Sequence, residues 1–373
     1  MAALGRGAGP APPDPQADLR VAVYGSFAAM PASCRHWLDQ RAADFFSTYA
    51  WYANLEQSVL GRDGLLRIYV VGVAGEPRLI VPMWHARGGR RILQAAANFY
   101  AALFTPAALD GAGSAHLFEA WAAALAGERP RWEQVRLAPL APESPLYAAA
   151  GGALRAVGFG THPYFCFGNW FLPLRQRSYA QFFQERPSAL RHTLARKAKS
   201  LTALPQFHIA ILTRPEQAAE GARAVERVYA RSWKSPEPYP AFIPNLIRTC
   251  AEQGVLRLGV AYLERTPIAF QIWIVHGQTA AIYKLAYDQA YGKLSVGSVL
   301  TAALMQRAID QDGVSHIDYL SGDEGYKRDW MSDRRERWGI VGFNRASARG
   351  WLAAARHRLG RALRRRGPTP VFH

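Results

Sequence analysis

Apolar and polar positions along this chain change period repeatedly, and the changes mark out its elements. RVAVYG predicts a short strand, and helical stretches follow near Ser33–Ala43 and Tyr49–Leu60. LLRIYVVGVAG and EPRLIVPMWHA are apolar runs of strand length broken at Gly75-Glu76-Pro77, the mark of a hairpin. A helix near Ala115–Ala126, a strand near WEQVRLA, a helix near Leu146–Val157 and a strand near HPYFCFG complete this part. The order then starts again. A basic helix, Ala189–Leu201, leads to the strand FHIAILT, and helices at Pro215–Trp233 and Ala241–Gln253 come next. LRLGVAYLE and IAFQIWIVH form a second hairpin turning at Glu264-Arg265-Thr266-Pro267, followed by the strand AAIYKLAYD, a helix, the strand HIDYLS and finally GIVGFN. Each part runs strand, two helices, hairpin, further strand, helix, strand. That predicts a mixed α/β chain built by degenerate internal duplication, divided between Gly168 and Arg186.

The stretch from Ala280 to Trp330 carries the strongest chemical signal. After AAIYKLAYD comes the loop QAYGKLS, the turn Val296-Gly297-Ser298, a helix closed by Gly313, and then Gly322-Asp323-Glu324-Gly325-Tyr326-Lys327 after HIDYLS. A glycine where a strand turns into a helix exposes backbone N–H groups at the positive end of the helix, where a phosphate or pyrophosphate is held without a side chain. The same residues also serve an ordinary helix start, with Ser298 as a cap.

The ordered set resembles the GNAT N-acyltransferase superfamily, and within it the CelD/BcsL-type acetyltransferases and the related FemAB-like tandem proteins. The residues that carry the resemblance are Ser232-Trp233-Lys234, LRLGVAYLERTPIAFQIWIV, Tyr283 to Asp288, Ser295-Val296-Gly297 with Leu300, and Gly322-Asp323 through Tyr326-Lys327 to Trp330. They lie between Arg191 and Gly342; FFSTYAWYANL and NFYAALFTP give a looser match in the first half. The resemblance implies an α/β (α+β) fold of tandem GNAT-like domains, each a mixed, mostly antiparallel sheet flanked by helices. Its layout would be a loose tail over 1–18, a degenerate domain over 19–170, a catalytic domain over 171–345 and a basic tail over 346–373.

The resemblance also assigns roles. Acyl-CoA, taken as acetyl-CoA, would lie along the strand through Leu285 and Ala286, with its pyrophosphate on the N–H groups of Val296, Gly297, Ser298 and Val299. One strand N–H would polarise the thioester carbonyl. Tyr326 would protonate the departing thiolate, or else pack beside Trp330. Asp288, Asp323 and Glu324 are candidate bases, with helix capping the alternative for the last two. Lys327 would hold an anion or pair with Asp323 or Glu324. Trp233, Lys234 and Tyr283 would face the acceptor, an amine on a sugar-linked or lipid-linked molecule. Lys284 must face solvent or pair with an acid such as Asp288, because an unpaired buried lysine is costly. No metal is implied. The FemAB branch implies an aminoacyl-tRNA donor instead, and a non-catalytic binding module is the third possibility.

Composition sharpens this picture at three points. The formal charge is +17, much of it in Arg186–Lys199 and in the tail from Arg349 on, and no acidic residue follows Glu336. Such asymmetry points to an anionic partner or to a solvated basic face. Three scattered cysteines, the lack of a basic-apolar leader and the lack of a run of ~20 apolar residues suggest a reducing, cytoplasmic setting, with peripheral contact at the inner membrane. The ten histidines make no H-E-x-x-H or H-x-x-E-H spacing, and no P-loop or G-x-S-x-G elbow occurs. In the tail, helical spacing puts Trp351, Leu352, Ala355, Leu359, Ala362 and Leu363 on one face, with Arg358, Arg361, Arg364 and Arg365 opposite. That is the pattern of a helix lying on an anionic membrane, or of one docked on the protein by its apolar stripe.

Overall fold

The computed structural model describes residues 19–109 and 114–364. The tail over 1–18, the glycine turn Gly111-Ala112-Gly113, which the sequence reads as a surface loop, and Arg365 lie outside the described residues.

The first half forms β1 (Arg20–Tyr24), β2 (Gly64–Val73), β3 (Glu76–Ala86), β4 (Ile92–Ala95), β5 (Ala107–Ala108), β6 (Gln134–Leu140) and β7 (Phe159–Pro173). The second forms β8 (Phe207–Leu212), β9 (Leu256–Leu263), β10 (Thr266–His276), β11 (Thr279–Tyr287), β12 (His316–Asp318) and β13 (Asp333–Asn344). The hairpin turn after β2 places Ala74 and Gly75 at φ 51° and 87°, the positive angles that match the twist of a two-residue turn. Strands β1 to β4 are antiparallel neighbours, and β6 lies parallel to β4; likewise β8 to β11 are antiparallel neighbours, and β12 lies parallel to β11.

The duplicated order is therefore present, but the halves do not close on themselves. β7, the last strand of the first half, pairs with β12; β13, the last strand of the second, pairs with β6. β7 and β13 then pair with each other from Phe171 opposite Asp333 to Phe159 opposite Asn344. One mixed sheet results, in the order β1-β2-β3-β4-β6-β13-β7-β12-β11-β10-β9-β8, with β5 beside β3. Two sequence expectations change here. HIDYLS is a strand only as far as Asp318, because Leu320 turns away at φ 57°. GIVGFN is only the end of a strand that starts in the polar run at Asp333.

Apolar surface is buried in layers on both faces. Helices Tyr49–Leu55 and Phe242–Glu252 pack between the halves, with Trp51 and Phe242 edge to face at 5.6 Å and Tyr100 stacked on Phe242 at 3.9 Å. Phe270, Ile272 and Ile274 of β10 join this core, whereas Ala269 and Trp273 face the other way, toward helix Val296–Gln306. A strand covered on both faces reads as an unbroken apolar run, as IAFQIWIVH does. The tail forms the helix Ala348–Arg364, seated on β13 through Ala353 beside Val341 and Phe343.

Candidate functional site

β11 and β12 stay paired only from Thr279–Ala281 to His316–Asp318, and beyond that the two strands part. On its other side β11 slips register against β10: Ile272 faces Lys284 and Trp273 faces Ile282, so Tyr283 is the extra residue of a bulge. A bulge leaves a backbone group out of the ladder and re-aims the strand. The helix beginning at Val296 lies next to this opening. Its cap position is Ser295, held left-handed at φ 53° and making no side-chain cap bond, so Ser298 sits inside the first turn and is not the cap. The N–H groups of Ser298 and Val299 donate to the Ser295 carbonyl at 3.0 and 3.2 Å. The orphan N–H groups at the helix start are therefore those of Val296 and Gly297.

A buried network fixes this helix end to the sheet, and it has no signature in the sequence. Gln271 of β10, 1% exposed, donates to the Gly297 carbonyl at 2.9 Å and to Thr301 Oγ1 at 2.7 Å. Its own oxygen accepts from Trp273 Nε1 at 2.8 Å. Leu285 and Ala286 lie on β11 past the bulge, Ala286 buried in the core between the halves.

Several expected site residues have structural occupations. Asp288 is buried and caps the short turn Gln289–Leu294 by accepting from Ala290 N at 3.0 Å. Asp323 accepts from Arg334 at 2.6 to 3.1 Å and from Trp170 Nε1 at 2.7 Å. Arg334 first, and Trp170 with it, hold this carboxyl below the usual range, which makes it a poor base. Lys327 is buried rather than open to a ligand anion: its Nζ donates to Ser321 O at 2.5 Å and pairs with Glu324 at 2.8 Å, which also engages Glu324. The Tyr283 hydroxyl donates to the Tyr100 carbonyl at 3.2 Å, tying β11 to the first half instead of facing an acceptor.

Lys284 pairs with an acid as expected, but the acid is Glu237 and not Asp288. It lies over the rings of Tyr100 and Tyr229 at 5.5 and 5.4 Å, and shares Glu237 with the Tyr100 hydroxyl at 2.6 Å. Tyr229 also hydrogen-bonds Glu237. Lys234 is nearby, pushed down to about 8 by burial and then by Lys284. Trp233 packs against Tyr287 at 4.6 Å and is half exposed, forming a rim. Tyr326 keeps 47% of its surface and meets Tyr319 edge to face at 5.9 Å; desolvation, then Glu324, pushes its hydroxyl up to about 12. Among the described residues no group of three or more His, Cys, Asp or Glu side chains is placed to hold a metal.

Residues 188–328 match the family model described as an acetyltransferase (GNAT) domain. The fold is similar to that of FemX, at TM-score 0.59 and 10% identity over 83% of this chain and 94% of that one. It is also similar to L-PGS from Bacillus licheniformis, at 0.54 and 12% over 86% and 93%. A third similar structure is the C-terminal domain of a putative lysylphosphatidylglycerol synthetase from Agrobacterium fabrum, at 0.51 and 14% over 82% and 90%. The search of curated proteins gave no match. The chain has a GNAT-like tandem fold, and within its second half residues 188–328 are similar to the acetyltransferase (GNAT) domain.

Proposed function

We propose that this chain is an acyl-CoA-dependent N-acyltransferase with acetyl-CoA as donor. The observation that carries the reading is the pair of orphan N–H groups at Val296 and Gly297 beside a bulged strand that parts from its parallel neighbour. The helix start takes the pyrophosphate, and the strand takes the pantetheine arm along Leu285 and Ala286. A bulge N–H polarises the thioester carbonyl for attack by an amine. Calorimetry with acetyl-CoA, together with mass spectrometry of whatever co-purifies, tests it. Co-purified RNA with no heat from acetyl-CoA would replace this donor by aminoacyl-tRNA, the reading that the +17 charge favours.

Tyr326 serves the leaving group in this reading. With its pKa near 12 the hydroxyl keeps its proton beside a thiol that ionises some three units lower, so it stabilises the departing sulfur as a hydrogen-bond donor. A hydrogen bond to a charged group is worth about 1.5–3 kcal/mol. Tyr326→Phe is therefore expected to lower turnover about ten- to hundredfold while acetyl-CoA affinity stays put. Wild-type turnover in that variant would leave Tyr326 a packing residue.

The acceptor in this reading is sugar-linked or lipid-linked, placing the enzyme in cell-envelope or exopolysaccharide synthesis, in the cytoplasm and peripheral at the inner membrane. The fold shared with a lysylphosphatidylglycerol synthetase domain is in keeping with a lipid-linked acceptor. Among the described residues no helix is long and apolar enough to cross a membrane. The tail helix offers a peripheral contact instead: Trp351 and Leu352 are 65% and 54% exposed, in a segment with arginines and no acid. Each Arg near an anionic surface contributes ~1 kcal/mol. The full chain should sediment with phosphatidylglycerol-rich vesicles at low salt and be released at high salt. The double variant Trp351→Ser, Leu352→Ser should stay in the supernatant; if it sediments equally, the helix is not the contact.

A further inference from the structure

A cavity of about 270 Å³ lies at the seam between the halves, and none of the candidate site residues lines it. Ala281, Asp318 and Leu320 form part of its wall, so it reaches the place where β11 and β12 part. The charged and titratable groups that face it are Asp44 from the first half, Glu143 after β6, His276 at the end of β10, Asp318 at the end of β12, and Arg335 and Arg337 of β13.

The charges do not balance. Arg335 donates to Asp318 at 2.5 Å and to Asn169 at 2.6 Å. Arg337, 4% exposed, donates to Glu143 at 3.1 Å and to Asn169 at 3.4 Å. Each guanidinium thus has its carboxylate. Asp44 has none of its own: its carboxylate is held by Ser47 Oγ at 3.3 Å and by the backbone at Phe46, not by a cation. With both arginines matched, two positive groups face three carboxylates, and the one left over lines a cavity. Asp44 is part-buried, and a partly desolvated carboxylate on a cavity wall without a counter-ion is costly, a cost that an entering ammonium group lowers.

We infer that the seam cavity binds the ammonium end of a small primary amine, with Asp44 as its counter-ion and as the group that takes its proton. The volume suits one sugar ring or a short alkyl amine. Asp44 is pushed up to about 6, by burial first, with Asp318 adding a small rise against the lowering by Ser47, the Phe46 backbone and Arg337; it is ionised, and able to accept a proton, near neutrality. The proton-transfer step rests on the acyl-transfer reading; the binding does not. In that step the ammonium gives one proton to the Asp44 carboxylate. The freed nitrogen lone pair attacks the thioester carbon, the C–N bond forms and the C–S bond breaks. The sulfur leaves as thiolate and takes up the second nitrogen proton, giving amide and thiol, and Asp44 returns its proton to solvent.

Calorimetric titration without any acyl donor tests the site. The probes are D-glucosamine, cadaverine and N-acetyl-D-glucosamine, the last having the same ring without the ammonium. The wild-type chain is expected to bind both amines and to ignore the acetylated sugar. Amine affinity should be level above pH 6 and fall about tenfold per unit below it, as Asp44 is protonated. Asp44→Asn, which keeps the shape, should weaken both amines at least tenfold and flatten that pH dependence. Its thermal transition should match the wild type. Failure of both amines to bind the wild-type chain, equal binding to wild type and Asp44→Asn, or equal binding of the acetylated sugar would each overturn the assignment. Absence of acetyl-CoA binding would overturn only the donor reading.

Discussion

Gly297→Glu should abolish acetyl-CoA binding and leave the folded protein intact. A Cβ built at Gly297 meets only Tyr287 Cδ1, at 3.5 Å, so the position has room for a side chain. An acid in the first turn also suits the positive end of a helix, by 0.3–1 kcal/mol. The fold therefore has no reason to suffer. A ligand phosphate does, because the new carboxylate occupies the ground in front of the Val296 and Gly297 N–H groups. Two like charges ~4 Å apart in partly shielded surroundings repel by about 4 kcal/mol, close to a thousandfold in affinity. Calorimetry of both proteins, with Gly297→Ala as a small-side-chain control, reads the effect. If the glutamate variant bound acetyl-CoA as tightly as wild type, the pyrophosphate site would lie elsewhere.

The second large effect is expected at Glu237. Its carboxylate is the meeting point of Lys284 on β11, Tyr100 of the first half and Tyr229 on the helix Ala218–Ala230. Both members of the ion pair are enclosed, with side chains 14–15% exposed. Removing one partner strands the other charge, a loss of about 3–5 kcal/mol when the pair is buried. Glu237→Ala should therefore be destabilised by an amount near that range in urea unfolding. The pH dependence has a definite sign. Hydrogen bonds from Lys284, Tyr100 and Tyr229 outweigh desolvation and hold the Glu237 pKa below its ordinary value of 4.5. The stabilisation is thus complete above pH 4.5 and fades as pH falls through the folded-state value. The wild-type chain should lose this increment on acidification, while Glu237→Ala has none to lose. Matching acid profiles would mean that Glu237 contributes nothing to the seam.

What could be read in advance depended on how local its cause was. The two hairpins, the helices between them and the duplicated order were legible, because turn residues and apolar period act within a few positions. The exchange of β7 and β13 was not. Arg334, Arg335 and Glu336 look like a solvated charge run, yet they pair opposite β7, with Arg334 on Asp323 and Arg335 on Asp318. At the site, the glycine at the helix start was visible as a turn. Whether Asp288, Asp323 and Lys327 are available for chemistry depends on Ala290, Arg334 and Ser321, partners that periodicity does not reveal. Glu237 and Asp44 went unnoticed because their significance comes from groups far along the chain. Glu237 stands three residues after Ser232-Trp233-Lys234, and FFSTYAWYANL begins just after Asp44, so both lie beside stretches that carry the family resemblance.

The exchanged strands also set a timetable for the nascent chain. β6 ends at Leu140, and the strand that covers its edge does not begin until Asp333. At ~5–20 residues per second, an emerging first half waits roughly 10–40 s with that edge unpaired. An open strand edge is a template for other chains. Crowded polysomes would thus put neighbouring copies in competition for β6 before the proper strand has been made. A gene split near its midpoint would give fragments that each end in a strand belonging to the other, and that become soluble only when produced together.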